Sequence, residues 1–318
     1  MTTTNREIAG VRCDLHVHSA RSGPVDVRPF TRVANESYEE PLAVYHQARR
    51  AGMSLFTLTD HDTIAGVLEL RGRPEVFVSE EVSCALPGGR ELHLGVFDID
   101  EAQHEQIARR RHDAETLFAY LAEERIAACV NHPFSALTGR RETADLQHAF
   151  ASLPLVEARN GMMSAAVNAR AARAARRAGV ATVGGSDAHT LASVGRAFTV
   201  VPGAADRSEF LAGLRRGYTL PAGRSGTYAR LTADVARIAA GAYRAALHDA
   251  IEDPGRLAVM GLAVPLLPFL PLVTACVFAH EQLFARRHER RLREAGERRR
   301  PRAASGPFGP AAAPTLAR

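Results

Sequence analysis

Short apolar runs that end in histidine or acidic side chains recur through the first two hundred residues, and this recurrence narrows the folds open to the chain. The runs are Val11–Val17, Ser54–Thr59, Glu75–Val82, Glu91–Phe97, Ala127–Val130, Leu155–Ala158, Ala181–Val183 and Ala197–Val201. Several are flanked by Gly or Pro and many are β-branched or aromatic, which suits strands. Between them Pro41–Ala51, Glu101–Arg125, Ser164–Ala178 and Ser208–Arg216 read as helices. Such alternation predicts an α/β fold with a mostly parallel sheet or barrel. The turn Pro87-Gly88-Gly89 predicts a hairpin that interrupts this pattern.

The ends of the runs carry the chemistry. In Asp14-Leu15-His16-Val17-His18, alternate side chains of a strand face the same way, so His16 and His18 can share one ion. Thr59-Asp60-His61-Asp62 closes the second run, Glu80-Glu81 the third, Asn131-His132-Pro133 the fifth and Gly185-Ser186-Asp187-Ala188-His189 the seventh, while His93 sits in the fourth. The C-terminal strand ends of an α/β barrel converge on one mouth, where active sites are built. Histidines scattered through a core would not all fall at strand ends. His46, His104, His112, His148, His248, His280 and His288 lie on helices or tails and read as solvated. Mixed imidazole and carboxylate ligation suits manganese, zinc or iron.

Composition adds two limits. The 318 residues contain no lysine, so all 40 basic residues are arginine, whose planar fork suits phosphate. Amidohydrolase-type barrels bridged by a carbamylated lysine are thereby excluded; mononuclear and Glu-bridged forms are not. The four cysteines, Cys13, Cys84, Cys129 and Cys276, have neither metal-knuckle nor disulfide spacing and read as small buried residues. Nothing in MTTTNREIAG resembles a secretory signal, which predicts a cytoplasmic protein.

With their order along the chain, Asp14-Leu15-His16-Val17-His18-Ser19, Thr59-Asp60-His61-Asp62-Thr63, Glu81-Val82-Ser83, His132-Pro133 and Gly185-Ser186-Asp187-Ala188-His189 resemble the motifs of the PHP (polymerase and histidinol phosphatase) family. The resemblance runs from about Val11 to Val201 and implies a distorted (β/α)7 barrel with a centre of two or three divalent metal ions that hydrolyses phosphoesters. By motif, a first ion takes His16, His18, Glu81 and Asp187; Glu81 bridges to a second ion with His93 and His132; a third uses His61 and His189. Asp187 and His189 are the implied catalytic residues. Where relatives place an Asp or His shortly after His-x-His, this chain has Gly23, with Asp26 nearby as a substitute. That departure implies a weak or absent third ion.

A phosphate also needs basic clamps. Arg196 just after the last motif, then Arg159 and Asn160 at the end of the sixth run, are the candidates for substrate binding. The expected substrate is a small phosphorylated molecule or a short nucleic acid. Two alternatives stand beside this: an amidohydrolase-like hydrolase, and a catalytically weakened metal-binding scaffold anchored by its tail.

The predicted division is a phosphoesterase domain over 11–222, a helical connector over 227–256, an apolar segment over 257–279 and an Arg-rich helix with a disordered tail over 280–318. Leu257–Ala279 is long enough to span a bilayer, but Pro265, Pro268 and Pro271 would break a straight helix. It reads as a membrane-interfacial or packing hairpin. With the arginines of 286–302 it would place the protein at the inner face of the membrane, or those arginines would contact nucleic acid.

Overall fold

The computed structural model describes residues 9–24, 34–138, 141–250 and 253–299. Its strands are β1 (Gly10–Cys13), β2 (Ser79–Leu86), β3 (Arg90–Phe97), β4 (Ala127–Val130), β5 (Leu155–Asn160), β6 (Ala181–Gly185), β7 (Ala197–Pro202) and β8 (Leu220–Gly223). Helices α1 (Pro41–Arg50), α2 (Ala65–Leu68), α3 (Glu101–Arg110), α4 (Ala114–Glu123), α5 (Thr143–Ser152), α6 (Ala165–Ala178) and α7 (Arg207–Arg216) lie among them. The chain ends with α8 (Tyr228–His248), α9 (Pro254–Ala263) and α10 (Leu270–Arg299). The fold is mixed α/β, as the alternation predicts.

The sheet departs from the mostly parallel expectation. Strands β2-β3-β4-β5-β6 form one sheet and β1-β7-β8 another, and only β4–β5 and β5–β6 pair in parallel. The cause is the predicted hairpin. Gly88 and Gly89 take left-handed backbone at φ 78° and 70°, reversing the chain so that β3 runs antiparallel to both β2 and β4. The described strands do not form one closed ladder. Parallel single bridges join Val17 to Ala188, Phe56 to Val76 and His61 to Glu81. Ser54–Thr59 therefore contributes bridges rather than a strand. There Val17 N–H donates to Thr59 Oγ1 (2.9 Å) and Ser19 N–H to Asp60 Oδ1 (2.6 Å), so side-chain oxygens take the place of a backbone ladder.

Local chemistry explains the other boundaries. The helix expected over Glu101–Arg125 is two helices, because Asp113 accepts from the N–H groups of Glu115 and Thr116 and starts α4 anew. Helix α6 matches its expectation, capped by Ser164 and stopped at left-handed Gly179. The third run is a strand from Ser79, not Glu75, and continues past Glu81 to Leu86. Helices α2 and α5 and strand β8 were not anticipated.

Two apolar cores lie on either side of the strands. The larger holds Phe56, Leu58, Leu94, Val130 and Phe134; the smaller holds Phe77, Phe97, Leu155 and Phe210. Cys13, Cys84 and Cys129 are buried as expected, but Cys276 is exposed.

The apolar segment divides at its prolines into α9, a 3-10 stretch over Val264–Phe269 and the start of α10. The Arg-rich residues continue α10 without a break. Ala285 and His288 of α10 are buried, and Glu289 pairs with Arg170 and Arg173 of α6. Leu266, Leu267, Phe269, Leu272 and Val273 remain exposed. The tail from 300 onward and Asp26 lie outside the described residues.

Leu94 is fully buried in the larger core, so Leu94→Ala should cost about 2–5 kcal/mol in urea unfolding.

Candidate metal centre

The strands and bridges bring the expected ligands together. Glu81, 1% exposed, lies at the middle of the cluster. Its Oε2 is 3.1 Å from His16 Nε2, 3.4 Å from His18 Nε2 and 3.3 Å from His61 Nε2. Its Oε1 is 3.1 Å from His132 Nε2 and 3.3 Å from His93 Nδ1. Asp187 Oδ1 approaches His16 and His18 at 3.4 and 3.5 Å and His189 Nδ1 at 3.8 Å. All eight predicted ligands thus share one site.

Four of the six imidazoles are aimed by what holds one ring nitrogen. His16 Nδ1 is 3.0 Å from Glu157 Oε1, His18 Nδ1 3.1 Å from Ser22 Oγ, His93 Nε2 3.0 Å from Glu91 Oε1, and His189 Nδ1 3.0 Å from the Asp187 carbonyl. A ring held at one nitrogen presents the other, which is how outer partners orient metal-ligating histidines. The carboxylates are held too: Asn131 donates to Glu81 (2.9 Å), and Asn160 donates to both Glu157 (2.9 Å) and Asp187 (3.1 Å). His132 and Asp187 have left-handed backbone at φ 24° and 53°, a strain that the surrounding structure must offset.

The residues fit divalent cations. His18 Nε2 and Glu36 Oε2 are buried without a hydrogen-bond partner, although each faces oppositely polar neighbours within 3.5 Å. Atoms that converge without aligning on one another suit a shared ion better than mutual hydrogen bonds. Four sets place ligand atoms within 4.8 Å of one another: His16, His18 and Glu81; His16, His132 and Asp187; His61, Glu81 and His93; His18, Glu36 and His189. These sets cut across the expected grouping, since His61 joins Glu81 and His93.

Glu36 is a candidate ligand outside the sequence motifs. It brings a carboxylate next to Gly23 from a different part of the chain: Glu36 N–H donates to the Gly23 carbonyl at 3.1 Å, and its Oε2 lies 3.1 Å from His61 Nε2. No local pattern in Ala34-Asn35-Glu36-Ser37 marks it. Glu157, within the run Leu155–Ala158, carries no motif either.

Other motif residues serve as ties. Asp14 accepts from the N–H groups of Ser186 (2.8 Å) and Gly195 (2.8 Å), joining the first motif to the last. Asp60 accepts from Ser19, and Asp62 from Ser83 N–H and Arg111. Glu80 turns away to His104 at 2.9 Å. His104 is therefore paired rather than solvated, His148 stacks on Phe118, and His288 is buried beside the Arg141 carbonyl. His46, His112, His248 and His280 are exposed as expected.

The three substrate-binding candidates are placed differently from one another. Asn160 is buried with its amide engaged within the protein, so it positions carboxylates and has no donor to offer a substrate. Arg159 donates to the Gly223 carbonyl at 3.4 Å. Arg196 keeps a buried Nε without a partner, and burial together with Arg230 and Arg224 lowers its pKa.

Charge in the cluster is strongly coupled. Burial would raise the carboxyl of Glu81, yet His16, His61 and His93 hold it well below the usual range, and Asp187 is held down likewise by His16. Burial opposes charge on His61, but Glu81 and Glu36 push it up to about 9; His16 is raised well above the ordinary imidazole value by Glu81, Asp187 and Glu157. Burial and His189 take His18 down to about 3. For His16 and His61 the raised folded pKa stabilises the metal-free protein fully below about 6.5, and this is lost as pH rises through about 9 for His61. The metal-free melting temperature should therefore fall by at least about 5 °C between pH 6.5 and 9.5. Manganese or zinc should remove that fall by replacing the protons; scanning calorimetry with and without metal measures both.

Residues 166–219 match the family model described as PHP-associated. Comparison with curated proteins gives no match. Among solved structures, PsfC from Pseudomonas syringae is 18% identical, covering 65% of this chain and 94% of its own, with a TM-score of 0.47. A protein of Bifidobacterium adolescentis provisionally described as a metal-dependent phosphoesterase is 15% identical over 58% of this chain and 90% of its own, at 0.42. An amidohydrolase from Chromobacterium violaceum is 17% identical over 65% and 97%, at 0.43. The match at 166–219 falls within the stretch that carries the ordered motifs, and over those residues the chain is similar to PHP-associated proteins.

Proposed function

We propose that this chain is a metal-dependent phosphoesterase acting on a small phosphorylated substrate or a short nucleic acid, on a distorted (β/α)7 barrel. The observation that carries this is Glu81, one buried carboxylate facing five imidazoles, three at one oxygen and two at the other. A carboxylate divided in this way suits a bridge between two cations. His16, His18 and Asp187, with His61, would hold one side, and His93 and His132 the other. Glu36 and His189 would complete a third, outer site. Bound there, divalent cations such as manganese, zinc or iron supply Lewis-acid polarisation of a phosphoryl group and neutralise charge in an in-line displacement.

The protein's own groups do the rest. Asp187 and Glu81 keep negative charge at the centre, and Glu157 holds His16 in the tautomer that presents Nε2. His189, stacked on His18 at 4.4 Å and 19% exposed, stands at the edge of the cluster, where it would either hold the outer ion or, without that ion, pass a proton to a leaving oxygen. Arg196 and Arg159, each with a buried Nε lacking a partner, are the candidates for an anion clamp. With no lysine in the chain, Glu81 takes the bridging place that a carbamylated lysine has in many amidohydrolases.

His16→Ala and Asp187→Ala should each lower phosphomonoesterase kcat/KM by at least about 100-fold, and Glu157→Gln by about 10–100-fold, with circular dichroism unchanged. The assay is a panel of phosphomonoesters, oligonucleotides, amides and lactones with manganese, zinc or iron. Turnover confined to amides or lactones would replace this reading with the amidohydrolase one, and no turnover of any substrate would favour the scaffold.

The exposed apolar tip supports a cytoplasmic protein held peripherally at an anionic membrane surface. The helical run Val264–Gly296 contains a window apolar and long enough to cross a bilayer, but Ala285 and His288 within the run are buried against the protein. Thr274 of α10 is buried and bonds Thr232 of α8, so the exposed stretch over 264–273 spans only about 18 Å against about 30 Å of hydrocarbon; interfacial insertion fits and crossing does not. Leu267→Glu combined with Phe269→Glu should abolish cosedimentation with phosphatidylserine vesicles; unchanged cosedimentation would remove the membrane reading.

A further inference from the structure

The two loops that carry the outer ligands are held by α8, a helix outside the strand-helix repeat. Behind His189, Asp234 is 1% exposed and accepts from Thr190 Oγ1 at 2.9 Å and Ser193 Oγ at 2.5 Å. Arg237 donates to Asp234 at 3.1 Å, and Arg230 to the Ala192 carbonyl at 3.0 Å. The turn after His189 is thus fastened along one face of α8.

The Glu36 loop meets the same helix. Tyr38 packs on Gly241 so closely that a Cβ there would come within 2.7 Å of its ring. Ala34 and Tyr38 join Ala242, Ala246 and Met260 in a small apolar cluster separate from the main cores. The Tyr38 hydroxyl accepts from Asn35 N–H at 2.8 Å, next to Glu36. Glu39 Oε1 accepts from Leu191 N–H at 3.2 Å and ties one loop to the other.

We infer that α8 is the positioning element of the outer metal site, with Asp234 setting His189 and the Tyr38–Gly241 contact setting Glu36. This deepens the metal-centre reading and rests on it. The inner ligands Glu81 and His93 sit within paired strands, and His132 and Asp187 directly follow β4 and β6. Among the described residues, the Glu36 loop has no strand pairing beyond the single bridge of Pro24 with Asn35, and its backbone bonds are Glu36 N–H to Gly23 and Ala20 N–H to Glu39. Ligand atoms must be held within a few tenths of an ångström to bind an ion. Loops so lightly tied reach that precision only with an external support.

The experiment titrates metal-depleted full-length protein with Mn2+ by calorimetry and counts bound ions by elemental analysis after desalting. Wild type is compared with Asp234→Ala, Asp234→Asn and Tyr38→Ala. Asp234→Ala and Tyr38→Ala should weaken the last-filled site at least tenfold and lose one equivalent of Mn2+, with the tighter ions unchanged. Asp234→Asn, which keeps one acceptor oxygen, should fall between. If Asp234→Ala does not fold, Tyr38→Ala decides, because it removes only the half-buried Tyr38 ring and its hydroxyl and leaves Asp234 and its bonds in place. Unchanged stoichiometry and affinity, equal weakening of every site, or a wild type that holds only two ions would overturn the inference. A wild type that binds no Mn2+ would remove the metal-centre reading and this inference with it.

Discussion

A buried carboxylate surrounded by five imidazoles governs this structure. Glu81 is out of water, and burial alone would drive its carboxyl to the neutral form. The histidines reverse that, and they do so only if their nitrogens converge on two oxygens of one side chain. Most of the architecture around the site is the means of that convergence. Glu157, Ser22 and Glu91 hold the outer nitrogens of His16, His18 and His93, and Asn131 and Asn160 hold the carboxylates.

This demand also accounts for the irregular sheet. A regular parallel strand would place ligands only at its end, but Glu81 and His93 lie inside β2 and β3, cross-strand from Gly95 and Ser83. The hairpin carries the chain past the site and back, so two adjacent antiparallel strands each contribute a ligand. Near His16, His18 and His61 the backbone leaves ladder geometry, and side-chain oxygens of Thr59 and Asp60 take up the freed amides. His132 and Asp187 accept left-handed backbone for the same end.

The C-terminal helices are continuous with this body. Helix α10 is fastened through Glu289 to α6 and through Glu281 to the loop after His132, where Ala136 N–H donates to Glu281 at 2.8 Å. Burial raises the Glu281 carboxyl to about 7. The apolar residues that remain exposed are those between the prolines and the first buried turn of α10. Composition marks one long apolar stretch; packing divides it into an attached part and a free tip.

Residue order identified the α/β alternation, the hairpin turn and the strand-end histidines and carboxylates, because strand ends and metal-ligand chemistry leave local, ordered signatures; the resemblance of the motifs chose Glu81 over Glu80. His104 and Glu80 show the limit of that reading: a helix histidine and the neighbour of a ligand look solvated or redundant until folding pairs them. Glu36 shows it more sharply. Its contribution depends on the Gly23 carbonyl and on a helix two hundred residues later, and no short pattern records either. Which residues can bind a cation was decided by side-chain chemistry written in the sequence. Which of them share an ion, and what holds them still, was decided by tertiary contacts, since those depend on distances between segments that are far apart along the chain.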